Sequence, residues 1–353
     1  AVNNGDSPMN TNARYPTAHG ARQVLGWAVP VALLVAITGA CGGALADDRD
    51  FRHHRFWKQP RFCTYTARLT RQACSFEMWE EWLSARASCL NVSGRGARRE
   101  CLADARVERS EARSLCDDQL EARRDTCDIV GEQRYDPDFD PDNFVDPDEI
   151  GVSVEPNPYL PLVPGYRWTY RAGDETVVVE VKDQTKLIEG VTCRVVNDVV
   201  RDDGNLVEDT DDWFAQDLQG NVWYCGEEVK DYEYFEGDVP SRQELVAIDG
   251  SFKIGRDGAR AGILVLANPS VGDSYRQEFL LGEAEDVVEV LSVTATESAP
   301  GGACDGDCLQ TRDFTPIDPE ANEYKYYAPG VGLIVEVDLI TGDRLELVDF
   351  ETN

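Results

Sequence analysis

The sequence predicts an α+β protein: a disulfide-laddered antiparallel helical hairpin followed by an all-antiparallel β domain, a meander that curls into a barrel-like or two-layer form. Three observations carry this prediction. Six cysteines between residues 63 and 127 are spaced as a palindrome. From Tyr166 onward, apolar residues recur in the short runs typical of strands, separated by glycine turns. Charge divides the 353-residue chain at a similar place: residues 47–135 hold 17 basic and 16 acidic side chains, whereas residues 136–353 hold 15 and 49. Such a shift marks a domain boundary.

Composition bounds the function. A hydrophobic content of 42% with seven Trp, thirteen Tyr and twelve Phe is enough for a folded core. A net charge of -32 repels nucleic acid and anionic membrane surfaces, leaving cations and basic partners.

Residues 1–46 read as a signal peptide that starts at Met9. Arg14 and Arg22 precede an apolar run from Val24 to Ala40, and Ala44-Leu45-Ala46 forms a cleavage site before Asp47. The run is interrupted by Pro30, is short for a membrane span and lacks a basic stop-transfer flank. Ile37-Thr38-Gly39-Ala40-Cys41 offers a second route, because it resembles a bacterial lipoprotein box with Thr38 where Leu is usual, and would leave a lipid anchor on Cys41. Either route exports the chain to the periplasm, cell surface or medium. Ten cysteines then remain, and an even count in an exported chain reads as up to five disulfides.

Residues 47–135 form the hairpin. Cys63, Cys74, Cys89, Cys101, Cys116 and Cys127 are separated by 11, 15, 12, 15 and 11 residues. Folding the segment at residue 95 pairs Cys89 with Cys101, Cys74 with Cys116 and Cys63 with Cys127, each pair summing to 190. Equal arm lengths give equal rise in two antiparallel helices, and steps of 11 and 15 residues at about 100° each keep three cysteines on one face of each arm. Asn91-Val92-Ser93-Gly94-Arg95-Gly96 supplies the turn, and no Pro occurs from residue 61 to 136. The apolar residues Phe62, Tyr65, Leu69, Phe76, Trp79, Trp82 and Leu83, with Leu102, Leu115, Leu120 and Ile129 opposite, are too few for a large core, so cross-links replace packing. Cysteines this far apart, with no interleaved His, do not match a zinc site.

Residues 136–158 form an acidic Pro/Asp linker. Its alternating aspartates suggest calcium as the one candidate cofactor, but the positions where an EF-hand needs Gly and Glu hold Pro141 and Pro147. A solvated spacer stiffened by proline is the simpler reading.

Residues 159–353 form the acidic β domain. About a dozen short strands follow one another, divided by Asp203-Gly204-Asn205, Gln219-Gly220-Asn221, Pro329-Gly330 and Thr341-Gly342-Asp343. Acidic residues are expected to alternate outward. The segments Asn157-Pro-Tyr-Leu-Pro-Leu-Val-Pro-Gly165 with Trp168-Thr-Tyr170, Asp212-Trp-Phe-Ala-Gln-Asp217, Asn268-Pro-Ser-Val-Gly-Asp273 and Tyr326-Tyr-Ala-Pro-Gly-Val-Gly-Leu333 resemble a family of exported bacterial proteins of unknown function. The resemblance spans about residues 157 to 350 and implies a location, with no catalytic residues to transfer. Cys193, Cys225, Cys304 and Cys308 form two more bridges. Cys304 with Cys308 and Cys193 with Cys225 on neighbouring strands is one pairing, and Cys193 with Cys308 and Cys225 with Cys304 is another.

No catalytic motif is found. The three His stand at 19, 53 and 54, so the β domain holds none, which excludes Ser-His-Asp, Cys-His and His-zinc chemistry there. Trp168, Trp213, Trp223, Tyr224, Tyr326 and Tyr327 are assigned to the core. The expected function is therefore that of a non-enzymatic envelope or surface protein with a structural or protein-interaction role and a protein partner. The alternative is a periplasmic binding module for an apolar ligand or Ca²⁺.

Overall fold

The computed structural model describes residues 61–352 apart from Glu236. The expected signal peptide and cleavage site, the expected lipid box at Cys41 and His53-His54 all lie outside the described residues.

Helix α1 spans Phe62–Leu90 and α2 spans Arg95–Val130. The turn closes because Gly94 adopts a φ of +89°, a left-handed conformation glycine accepts without strain, while the Asn91 and Val92 amides donate to the last carbonyls of α1. The predicted ladder is present: Cys63–Cys127, Cys74–Cys116 and Cys89–Cys101 bridge the arms at Cα separations of 5.6, 5.8 and 5.6 Å. Ala67 and Met78 of α1 and Ala105 of α2 are buried between the bridges. The aromatic residues of α1 do not form the hairpin's core. Tyr65, Leu69, Phe76, Trp79 and Leu83 are exposed, because the disulfides turn the opposite face of α1 toward α2.

The β unit is one sheet of fourteen antiparallel strands: β1 Arg167–Ala172, β2 Glu175–Ile188, β3 Val191–Asp202, β4 Asn205–Gln216, β5 Val222–Glu228, β6 Asp231–Tyr234, β7 Gln243–Ala247, β8 Gly262–Val265, β9 Ser274–Arg276, β10 Val287–Ala299, β11 Gly302–Phe314, β12 Asn322–Ala328, β13 Gly332–Asp338 and β14 Arg344–Glu351. Sequence neighbours pair along most of it, and the first strand joins the last, with Trp168 of β1 opposite both Val179 of β2 and Phe350 of β14. The ladder runs from β7 at one edge to β9 at the other and is not closed. It curls all the same. One buried cluster collects Tyr170 of β1, Val177 of β2, Phe214 of β4, Val265 of β8, Val290 of β10 and Ile334 of β13, strands far apart along the ladder. Gly262 of β8 approaches the Gln277 carbonyl just beyond β9 so closely that a β-carbon has no room there.

The acidic segment is a strap rather than a free spacer. Val145 and Leu218 exchange backbone bonds with Gln216 and Asn143, and Phe139 and Phe144 pack on Trp223. Asp140 and Asp146 each cap a short 3₁₀ turn, and Asp148 pairs with Arg194 at 2.7 Å. Its aspartates thus work as turn caps and ion-pair partners.

The last two bridges are Cys193–Cys225 and Cys304–Cys308. Cys193 and Cys225 are not on neighbouring strands. β4 lies between β3 and β5, and the bond crosses it beside the small, buried Ala215. The Cys304–Cys308 bond closes a bulge in β11, where the partner register jumps from Ala295 opposite Cys308 to Thr296 opposite Asp305.

Replacing Cys74 and Cys116 together by Ser is expected to lower stability by about 2–4 kcal/mol. Guanidinium unfolding followed by far-UV circular dichroism reads this, and an unchanged midpoint would show that the central bridge adds nothing to the two beside it.

Candidate functional site

The Cys63–Cys127 end of the hairpin is docked on the sheet. Arg123 of α2 meets Glu285, which precedes β10: its Nε donates to the two carboxylate oxygens at 2.9 and 3.1 Å, and its Nη2 to one of them at 2.6 Å. These side chains are only 4% and 2% exposed. The Gly282 amide donates to the same carboxylate, and Gln119 Nε2 donates to the Ile317 carbonyl at 2.7 Å. The Tyr135 hydroxyl donates to Ala261 O at 2.8 Å, and its ring packs on Phe279. The distal turn at Asn91–Gly94 then stands about 40 Å from Arg123, at 1.5 Å per helical residue.

Beside this dock, hairpin and sheet enclose a cleft of about 630 Å³. Phe62, Tyr135, Ile263, Phe279 and Leu281 give it apolar walls, and Arg123, Arg134, Arg260 and Arg276 give it charge. Arg123 is held by Glu285, and Arg260 lies 3.4 Å from Asp136. Arg276 retains 7% of its exposure, and its Nη1 has no hydrogen-bond partner. Its guanidinium sits 5.1 Å from the Phe279 ring centroid, and its Nη2 reaches only the Cys63 sulfur, at 3.7 Å.

A second, smaller cavity of about 80 Å³ lies inside the curl, lined by Trp168, Tyr170, Phe214 and Leu333 together with Asp198, Asp212, Glu278, Asp286 and Lys325. The acidic residues therefore do not all alternate outward. Asp198, Asp212, Glu227, Glu278, Asp313, Glu323 and Glu336 are buried. Lys325 lies 3.4–3.6 Å from Asp313, Glu323 and Glu336. Burial opposes its charge, but these three carboxylates outweigh burial and hold its pKa well above the usual lysine range. One lysine cannot neutralise the whole set. Burial, reinforced by neighbouring carboxylates, pushes Asp198, Glu227 and Glu278 far above the usual carboxylate range. It raises Asp212 as well, against the lowering effect of the Tyr224 hydroxyl that donates to it at 2.8 Å, and pushes Asp286 up to about 7.

All ten predicted site cysteines are paired, three bridges in the arm and two in the sheet. A cavity for an apolar ligand was the alternative expectation for the β unit, but the charged residues that line these two were not singled out from the sequence. Lys325 stands in the alternating run Glu323-Tyr-Lys-Tyr-Tyr327, and its parity with buried Glu323 was the available signal. Arg276 had none, because its place depends on a helix some 150 residues earlier in the chain. Of the aromatics assigned to the core, Trp168, Trp213 and Tyr224 are buried, whereas Trp223, Tyr326 and Tyr327 are half-buried. Among the described residues no three His, Cys, Asp or Glu side chains are grouped to hold a metal ion, and no helix is long and apolar enough to cross a membrane. No family model, curated protein or solved structure matches the chain.

Two outcomes follow from the buried charges. A carboxyl group whose pKa is raised by folding stabilises the fold fully below its unfolded value, near 4, and that contribution is lost as pH rises through the folded value. With Asp286 at about 7 and burial and neighbouring carboxylates raising Asp198 well above its ordinary value, the thermal midpoint is expected to be higher at pH 5 than at pH 8, and Asp198→Asn should raise it at pH 8. A midpoint that climbs from pH 5 to pH 8 would contradict this. Replacing Glu285 by Ala strands Arg123 and should cost about 3–5 kcal/mol, whereas the double change Arg123→Met, Glu285→Leu should cost far less. A chemical-unfolding series over the three variants tests the dock.

Proposed function

We propose that the protein is an exported, non-catalytic interaction protein of the cell envelope or surface, in which the helical arm pairs with the arm of a second copy. Five disulfides indicate an oxidising environment and support the exported part of this reading. The outer face of α1 carries the rest. Leu69, Phe76, Leu83 and Leu90 follow one another every seven residues, with Tyr65 and Trp79 in the intervening row. At 100° per residue these six side chains fall within about 40° of one line, roughly opposite Cys63, Cys74 and Cys89. Such a seven-residue repeat is a coiled-coil seam.

The seam is open to solvent: Phe76 is 76% exposed, Leu90 68% and Leu83 54%. Taking about 200–250 Å² for a large side chain, the exposed parts of the six sum to on the order of 700 Å², near the roughly 800 Å² each partner contributes to a standard interface. Charge favours a second copy as the occupant. The β unit carries most of the 49 acidic side chains of residues 136–353 and repels its own kind, whereas the hairpin segment is balanced at 17 basic and 16 acidic. Pairing antiparallel along α1 sets the two acidic units at opposite ends, so the arm is the surface where two copies meet with least repulsion.

Sedimentation equilibrium of the full exported chain tests this. A dimer that Phe76→Glu with Leu83→Glu converts to a monomer of unchanged helicity is expected. A wild-type monomer at about 100 μM would reject the pairing, because a standard-size interface holds well below that concentration.

A further inference from the structure

We infer that the cleft between the hairpin and the sheet is a binding site for a monocarboxylate with an apolar body. This inference stands apart from the pairing of arms, since the cleft lies at the docked end of the hairpin and the seam runs along the outer face of α1.

The argument begins with Arg276. A guanidinium taken out of water with a donor left unpaired is costly, and folded proteins rarely keep one without a use. Arg276 is nearly buried, its Nη1 is unpartnered, and the sulfur near its Nη2 is a weak acceptor. Glu285 favours its charge from nearby but accepts no hydrogen bond from it, being turned to Arg123 and the Gly282 amide. The guanidinium lies against Phe279 and Tyr135, which fix its plane. An oxyanion in the cleft, met by a small turn of the Arg276 side chain because Nη1 itself has almost no open surface, would supply the missing acceptors.

The chemistry of that anion can be narrowed. A planar two-oxygen carboxylate matches the guanidinium fork, and the Arg123–Glu285 pair in the same wall is held in this way at 2.6–3.1 Å. Phe62, Ile263, Phe279 and Leu281 offer the rest of the ligand an apolar surface. The acidic β unit sets the limit on charge. With 49 acidic against 15 basic side chains in residues 136–353, its field disfavours a polyanion such as phosphate far more than a single carboxylate. An apolar molecule without the head would leave Arg276 as it is.

Calorimetric titration of the full chain with octanoate, octanol and inorganic phosphate separates head from tail. Octanoate is expected to bind one to one, at least about tenfold more tightly than octanol or phosphate, and Arg276→Gln to remove most of that advantage. Arg276→Lys keeps the charge without the fork and should bind octanoate with intermediate affinity and an unchanged melting point. The inference is overturned if octanoate gives no heat at millimolar concentration, if octanol or phosphate binds as well, or if Arg276→Gln binds octanoate undiminished. Should the Gln variant fail to fold, the octanoate and octanol comparison on the native chain decides alone.

Discussion

The contact on which the arrangement of this molecule depends is the buried pair between Arg123 and Glu285. It joins residues 162 positions apart, one on a helix and one at the mouth of a strand, with both charges removed from water. Such a pair contributes little net stability compared with apolar side chains of the same size, yet it tolerates no other placement, because either charge alone in that setting is strongly unfavourable. Its value lies in orientation. Around it gather the Gln119 amide, the Tyr135 hydroxyl and the cleft, so the direction of the arm and the shape of the cleft share one constraint.

The same physics operates on a larger scale inside the curled sheet. A concave face that draws in Asp198, Asp212, Glu278 and Asp286 would be untenable with all four ionised. Lys325 answers three further carboxylates, and burial shifts Asp198 and Glu278 toward their neutral form. The interior is therefore acidic in composition but built to favour the neutral form of its carboxyl groups, while the outer surface keeps enough ionised carboxylates to repel a like surface.

Much of the architecture was legible in the sequence, for reasons that differ by element. The arm was readable down to its bonds because helical rise is uniform, so a palindrome of cysteine spacings maps directly onto paired heights. The sheet was readable as a class, but the pairing of its first strand with its last, at Trp168 and Phe350, was not, since pairing between chain ends leaves no local pattern. The acidic strap was misjudged as a spacer because Phe139 and Phe144 look solvated until Trp223 is placed beneath them. The outward place of the α1 aromatics was not readable either: an apolar row says that a helix has a partner, not which partner, and the cysteines had already claimed the other face. Arg276 was invisible, because its unpaired nitrogen is a property of what its neighbours fail to offer.

The nested order of the three bridges in the arm also bears on how the molecule ages in an oxidising environment. The turn at Asn91–Gly94 is the exposed bend of the hairpin and the natural place for a protease to cut. A cut there breaks one peptide bond and releases nothing, because each arm remains joined to the other at three heights and the lowest bridge sits beside the dock. A cleaved arm would still run at full length on a non-reducing gel and separate into two pieces only when its thiols are freed. The ladder turns the most accessible peptide bonds of the arm into ones whose loss has little structural effect.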